Sequence, residues 1–334
     1  MTSTCLYDAL LLVSFGGPEK PEDVMPFLEN VVRGRPVPRE RLLEVAEHYH
    51  HFGGRSPIND HCRELKTAME RELAARGRTL PVFWGNRNWH PFLTDTVRAM
   101  ADRGVRRALA VVTSAFGSYS GCRRYLEDLE EARGKAGPDA PQIDRLRLFF
   151  NHPSFIAAWV DRIAEARRNL PGDRPLLVFT AHSIPVAMAR SGPYVEQLRE
   201  ACRMIAEESG FPRWELVYQS RSGPPHVPWL EPDVLEFLSD LAKDSPVPPV
   251  VLAPVGFLSD HIEVLYDLDV EAMTLARQLE IPLLRAKTVL DHPTFVRGLC
   301  DMIEERLSGE AERCSVGRLP PCPDVCPADC CVAR

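Results

Sequence analysis

The chain has 334 residues and is 45% apolar, enough for two packed cores, since single domains centre near ~100–150 residues. Its 47 acidic against 40 basic side chains give a formal net charge of -7, without the basic footprint of a nucleic-acid binder. No apolar run approaches the ~18 residues of a membrane span and no basic stretch precedes the first one, so a cytoplasmic protein without a leader is expected.

Short apolar runs alternate with amphipathic stretches of helical length, the pattern of βαβ units on a parallel sheet. Strands are predicted at Ala9–Ser14, Val82–Gly85, Ala108–Thr113 and Leu146–Phe150, then at Leu176–Thr180, Leu216–Gln219, Val250–Pro254 and Leu283–Thr288. Helices are predicted at Arg39–His50, His61–Arg76, Pro91–Arg103, Arg123–Arg133, Ser154–Arg168, Tyr194–Glu208, Pro232–Lys243, Ile262–Leu279 and Thr294–Leu307. An echo links the two sets: Asn151-His152-Pro153-Ser154-Phe155-Ile156 returns as Asp291-His292-Pro293-Thr294-Phe295-Val296. Capping explains Asn or Asp and Pro but not the matched His and Phe, so two duplicated halves are expected, 1–168 and 169–312, followed by a tail. In such α/β halves a ligand sits outside the carboxyl ends of the strands.

Two strand ends carry chemistry. After the first comes Ser14-Phe15-Gly16-Gly17-Pro18, which is no phosphate loop, because neither G-x-x-x-x-G-K-[ST] nor G-x-G-x-x-G occurs. After the fifth comes His182, whose imidazole titrates near neutrality. Beyond the seventh, Glu263, Asp267 and Glu271 recur every four residues, placing three carboxylates on one helical face. Such a stripe usually faces water; the apolar Pro254–Leu258 run ahead of it puts its start in a partly dry cleft. Oxygen donors led by a Glu and a His suit a divalent metal that is held and then released.

The Ser14–Pro18 loop, His182 and Glu263 lie in seven ordered segments that resemble the ferrochelatase family over nearly the whole chain. They are Leu10–Glu19, His51–Asn59, Gly85–Pro91, Phe179–Pro185, Tyr218–Pro224, Pro228–Leu230 and Pro254–Glu263. The resemblance implies an α/β tandem of two Rossmann-like, chelatase-type domains with parallel sheets, exchanged C-terminal helices and a cleft. It implies insertion of ferrous iron into a porphyrin, with release of two protons. Within it, His182 matches the catalytic histidine and Glu263 the carboxylate facing it, both also candidate ligands of the substrate iron. Asp267 and Glu271 match an acidic path for iron or protons. Phe15 matches the residue that projects toward the macrocycle, and Arg87, Ser118, Tyr119, Ser120 and Trp229 are candidates for holding it. The Phe27–Asn59 segment resembles the lip over the porphyrin. The wording of the motifs is closer to the branch using coproporphyrin III than to that using protoporphyrin IX. A non-enzymatic carrier of metal or tetrapyrrole, and a cobalt or nickel chelatase, are the alternatives. Monomer and homodimer both fit, as does peripheral contact with a membrane.

Five of the ten cysteines fall in the last 21 residues. Clustered thiols in a reducing compartment suit zinc or an iron–sulfur cluster better than disulfides. Some members of the family hold a 2Fe-2S cluster on tail cysteines and one internal cysteine. The expected ligands are Cys122, Cys326, Cys330 and Cys331, with Cys314 and Cys322 as alternatives; Cys5, Cys62, Cys202 and Cys300 are expected to be free thiols.

Overall fold

A computed structural model describes residues 6–172, 174–224, 226–309 and 312–333; Cys5 lies outside them. The contacts divide the chain into two units. The first comprises the chain up to Thr113, Arg124–Arg147 and Leu299–Arg313. The second comprises Ser114–Arg123, Leu148–Gly298 and the segment from Cys314 onward.

Each unit is built on a parallel four-stranded sheet of one topology. In the first, β1 (Ala9–Ser14), β2 (Val82–Asn86), β3 (Arg107–Val112) and β4 (Gln142–Arg145) lie in the order β2-β1-β3-β4. In the second, β5 (Leu176–His182), β6 (Trp214–Gln219), β7 (Val250–Ala253) and β8 (Leu283–Arg285) repeat it as β6-β5-β7-β8. Leu10 pairs with both Val82 and Leu109, and Leu177 with both Trp214 and Val251. A central parallel strand is covered on both faces, which is why Ala9–Ser14 reads as a continuous apolar run and is buried throughout. Leu11, Val13, Val97, Met100, Ala110 and Leu129 make the first core; Val178, Val217, Leu238, Leu252, Leu268 and Ile281 make the second.

The repeated helix starts have one construction. His152 and His292 each accept a hydrogen bond at Nδ1 from the backbone N–H two residues on, Ser154 and Thr294, at 3.3 Å. The cap is thus the histidine, not the Asn or Asp ahead of it, which explains why the His recurs. Asn151 instead donates to the Leu319 and Pro320 carbonyls, and Asp291 pairs with Arg162 at 2.5 Å.

Three expectations need correction. The fourth strand is Gln142–Arg145, not Leu146–Phe150, because the latter run turns inward to pack: Phe149 meets Phe155 and Phe295 at 6.0 and 5.4 Å between ring centroids. The boundary expected at 168 is displaced, since the helix Pro153–Arg168 packs against the helix Tyr194–Glu208 and strands β7 and β8, while Leu299–Arg313 belongs with the first unit. The tail from Cys314 is not a separate piece, because Val316 N–H donates to the Asn151 carbonyl and Arg318 N–H to Glu200. Unpredicted helices lie at Val24–Val31 and Val186–Arg190.

Candidate active site

In an open sheet of order 2-1-3-4 the chain leaves the first strand in one direction for the second and in the other for the third, so a crevice opens at their carboxyl ends. In the second unit that point lies between β5 and β7. His182 is the last residue of β5, and the loop after β7 runs through Pro254–Leu258 into Ser259-Asp260-His261-Ile262-Glu263. The topology therefore brings together residues that are 81 apart in sequence: His182 Nε2 lies 3.0 Å from Glu263 Oε1.

Several contacts fix the pair. Tyr194 donates its hydroxyl to the His182 carbonyl at 3.0 Å, tying down the strand end. Phe257 stands 6.4 Å from the His182 ring and 5.3 Å from that of His261, an apolar wall beside both imidazoles. Burial disfavours the imidazolium, but the charge and hydrogen bond of Glu263 outweigh it and hold the His182 pKa up, to about 9. Burial likewise opposes ionisation of Glu263, yet His182 holds its carboxyl down, to about 2. At neutral pH the resting pair is an imidazolium beside a carboxylate. The histidine is a base only after that proton has moved on.

The helix predicted over Ile262–Leu279 has three parts: α-helical Ile262–Val264, π-helical Leu265–Ala272 and α-helical Met273–Gln278. π-Helical turns are rare and concentrate at functional sites. Asp267 lies in the π segment, where burial and then the Glu263 charge raise its pKa to about 7, against hydrogen bonds from Ser220 and Gln219. Glu271 is raised by burial and by Asp233. A carboxyl poised near neutrality can take up a proton and release it at working pH.

Sequence reasoning assigned no role to Gln219 and Ser220, although both lie in the quoted Tyr218–Pro224 segment. Ser220 has φ 64°, a left-handed conformation rare outside glycine, and its hydroxyl donates to Asp267. Gln219 Nε2 donates to the same Asp267 oxygen at 3.2 Å, while its Oε1 accepts from the Thr180 hydroxyl at 2.7 Å. Thr180 and Gln219 are fully buried.

Trp229 is coupled to the histidine loop. Val186 N–H donates to the Pro228 carbonyl at 2.9 Å and Leu230 N–H to that of Ile184 at 3.0 Å, while the Ser183 hydroxyl donates to the Leu230 carbonyl at 2.8 Å. The indole lies flat on Gly223, where any Cβ would fall 2.3 Å from the ring. Ser118 is buried and closes its own turn, accepting from Gly121 N–H at 2.9 Å; Tyr119 is partly exposed and Ser120 exposed.

In the first unit, Gly16 has φ +82° and lies so close to Asn86 that a Cβ would meet its side chain at 2.8 Å, which fixes the β1 turn and the placement of Phe15. Phe15 meets Phe27 edge-on at 6.2 Å, and Phe27 in turn meets Tyr49 and Trp89. Phe27, Leu28, Leu42 and Ala46 form a small core for the Phe27–Asn59 segment. Arg87, a candidate for holding the macrocycle, pairs its guanidinium with Asp128 and stacks over the rings of Tyr125, at 4.4 Å, and Phe15, at 5.7 Å.

The tail thiols meet in the second unit. Cys330 and Cys331 Sγ are 3.5 Å apart, and Cys330 is raised by burial with Cys326 and Cys122 also acting on it. Cys122 and Cys331 are buried, whereas Cys314 is exposed and Cys322 accepts from Gln197 Nε2 at 3.3 Å. Cys62, Cys202 and Cys300 are buried free thiols, with burial raising the pKa of each. Among the described residues, no three His, Cys, Asp or Glu side chains are grouped to hold a single metal ion, and no helix is long and apolar enough to cross a membrane.

Solved structures define the class first. The chain superposes on the sirohydrochlorin chelatase SirB of Bacillus subtilis subspecies spizizenii, solved with cobalt, with TM-score 0.55 and 11% identity, covering 92% of this chain and 98% of that one. It superposes on CbiX, the terminal enzyme of siroheme biosynthesis in denitrifying bacteria, with TM-score 0.52 and 14% identity, over 90% and 99% of the two chains. The fold is thus of chelatase type, two Rossmann-like lobes with parallel sheets. The ferrochelatase family model matches residues 7–307. A ferrochelatase of Rhodopirellula baltica is 51% identical over 98% of this chain and 93% of its own length. Coproporphyrin III ferrochelatases of Mycolicibacterium smegmatis and Streptomyces griseus are 51% and 49% identical, covering 96% and 98% of this chain and 95% and 94% of theirs. The chain belongs to the ferrochelatase family, porphyrin metal chelatases that insert iron during haem biosynthesis.

Proposed function

We propose that the porphyrin is coproporphyrin III and that insertion takes place at the His182–Glu263 pair. The observation that carries the site assignment is their 3.0 Å contact at the carboxyl ends of β5 and β7. The porphyrin assignment is supported by the names of relatives near 50% identity. Metalation requires two pyrrole protons to leave while ferrous iron enters. His182, once its own proton has passed on, accepts a pyrrolic proton at Nε2, and Glu263 stabilises the imidazolium that forms. Asp267, poised near pH 7, receives protons from this pair, and Glu271 continues the line outward. His182 and Glu263 also offer a nitrogen and an oxygen to the arriving iron. Phe15, Trp229, Tyr119 and Ser120 hold the macrocycle, with Ser118 shaping the loop and Arg87 backing the Phe15 ring. The protein works in the cytoplasm, as monomer or homodimer.

We further propose that the tail holds a 2Fe-2S cluster on Cys122, Cys326, Cys330 and Cys331. In a two-iron cluster each iron takes a pair of protein ligands; Cys330 and Cys331 would be one such pair, with Cys326 and Cys122 the thiols that act on Cys330. Gly192 leaves the room: a Cβ there would stand 2.9 Å from Cys331 Sγ. Cys314 and Cys322 are the alternatives; Cys314 is exposed and Cys322 accepts a hydrogen bond from Gln197. Bound there, a cluster would supply redox-active iron, and Cys122, Cys326, Cys330 and Cys331 would hold it.

Comparing iron insertion into coproporphyrin III and protoporphyrin IX tests the substrate. A clear excess of kcat/KM for the tetracarboxylate is expected; a preference for protoporphyrin overturns that assignment.

A further inference from the structure

The acidic row poses a structural problem. Glu263, Asp267 and Glu271 are like charges at successive turns, an arrangement that weakens a helix, and Leu265–Ala272 has already left α geometry for the wider π turn. Something outside the helix must hold this segment in register.

Arg285, the last residue of β8, is the side chain placed to do so. Its Nε and Nη2 donate to the two carboxylate oxygens of Asp269 at 2.6 and 2.7 Å, while Nη1 donates to Asp260 Oδ1 at 2.7 Å and to the Ala286 carbonyl at 3.1 Å. Asp260 lies three residues before Glu263, ahead of the helix. Asp269 lies midway between Asp267 and Glu271, so its side chain leaves the opposite side of the helix from theirs. One guanidinium therefore grips the segment at its start and in its π turn, from behind the acidic row. The anchor is rigid, because Arg285 is paired with Leu252 of β7, the strand that leads into this loop. The side chain is only 11% exposed and Asp260 18%, so that arm is largely shielded from water, while the bidentate fork meets a partly exposed Asp269 and fixes its orientation by geometry.

We propose that Arg285 is a positioning residue for iron insertion, fixing Glu263 and Asp267 toward the entering metal through Asp260 and Asp269. The proposal rests on the assignment of Glu263 and Asp267 made above. Lysine keeps the charge but offers a point ammonium in place of the fork, and cannot grip both carboxylates in this geometry.

The test is steady-state insertion of zinc into coproporphyrin, followed by fluorescence, in the full-length protein and in Arg285→Lys, Arg285→Met and Asp269→Asn, with thermal unfolding of each. Loss of partners behind a metal-handling group typically costs about 10- to 100-fold. A rise of about that size in KM for zinc is expected in Arg285→Lys and Asp269→Asn, with KM for porphyrin within about twofold. The double variant should fall well short of the product of the single effects, as for residues acting through one contact. A merely structural arginine would lower Tm and the active fraction, reducing kcat while leaving both KM values unchanged; that result overturns the proposal and leaves the His182–Glu263 assignment standing. Zinc insertion by Glu263→Gln at the wild-type rate and KM would instead overturn the assignment and the proposal with it.

Discussion

His182 Nε2 lies 3.0 Å from Glu263 Oε1, and each group shifts the other's proton affinity in the direction that keeps both charged. The proposed role of the pair is to hold a proton ready for exchange. On the proposed assignment, replacing His182 by alanine removes the group that exchanges protons with the macrocycle but none of the apolar surface that would hold it. Coproporphyrin binding by fluorescence quenching should be unchanged while kcat for insertion falls by about 100- to 10,000-fold, the usual contribution of a positioned acid–base group. Near-normal kcat in His182→Ala would remove the histidine from the chemistry.

The charge state of the pair can be read directly. Glu263 raises the His182 pKa against the effect of burial, so Glu263→Gln leaves burial unopposed by its charge and the imidazole should titrate well below its present value of about 9. In linkage terms, a raised histidine pKa contributes stability that is complete below about pH 6.5, the unfolded value, and is lost as pH rises through about 9. The depressed Glu263 contributes stability above its unfolded value, lost as pH falls toward about 2. NMR titration of the His182 ring should show the wild-type proton retained through neutrality and released earlier in Glu263→Gln; identical titrations would contradict the coupling.

Much of this was legible in the chain because periodicity and motif report on different things. The apolar runs at Ala9–Ser14 and Leu176–Thr180 read as central strands of parallel sheets, and the switch point of such a sheet then puts His182 and the loop before Glu263 at one crevice. Hidden were features that depend on edges and on partners far away. Gln142–Arg145 carries little apolar signal because it is an edge strand, and Leu146–Phe150 carries a strong one because it is buried, although its first residue, Leu146, still bonds to β3 through the Ala110 carbonyl. Nothing in the spacing of Glu263, Asp267 and Glu271 distinguishes a π turn from an α turn. Arg87 looked like an anion binder because Asp128, which neutralises it, lies 41 residues away.

Gly223 offers a test of the macrocycle wall. The Trp229 indole lies against its backbone, and a methyl group would intrude to 2.3 Å of the ring. Gly223→Ala must therefore rotate the indole or move the 183–186 and 228–230 segments paired beside it. The expected result is a rise in KM for porphyrin of about tenfold, equivalent to about 1.4 kcal/mol, with KM for metal unchanged. An unchanged porphyrin KM would place Trp229 outside the binding surface.

The tail thiols make a spectroscopic prediction. Protein purified without oxygen should be coloured and contain iron and sulfide in equal amounts. Cys330→Ser, which removes the thiol 3.5 Å from Cys331 and acted on by Cys326 and Cys122, should abolish the colour, whereas Cys322→Ser should retain it, since Cys322 lies outside the proposed ligand set. Colourless wild-type protein lacking iron and sulfide would refute the cluster; colour lost in Cys322→Ser and kept in Cys330→Ser would reassign its ligands.

The last prediction concerns stability in the first unit, away from the chemistry. Arg147, at the end of the segment following β4, is 1% exposed and pairs with Glu305 of the final helix at 3.2 Å, Nη2 reaching both carboxylate oxygens. Two charges taken from water are costly, and their attraction repays that cost only while both are present. Replacing Glu305 by alanine removes one charge and leaves the other buried without its counter-ion, so the loss is expected to be about 3–5 kcal/mol, above that of an ordinary surface ion pair. Replacing both, as in Arg147→Met with Glu305→Leu, deletes the stranded charge and should recover most of that loss. Denaturant unfolding of the single and double variants measures both. Equal destabilisation in the two would mean that packing of the final helix, and not the charge left behind, sets the cost.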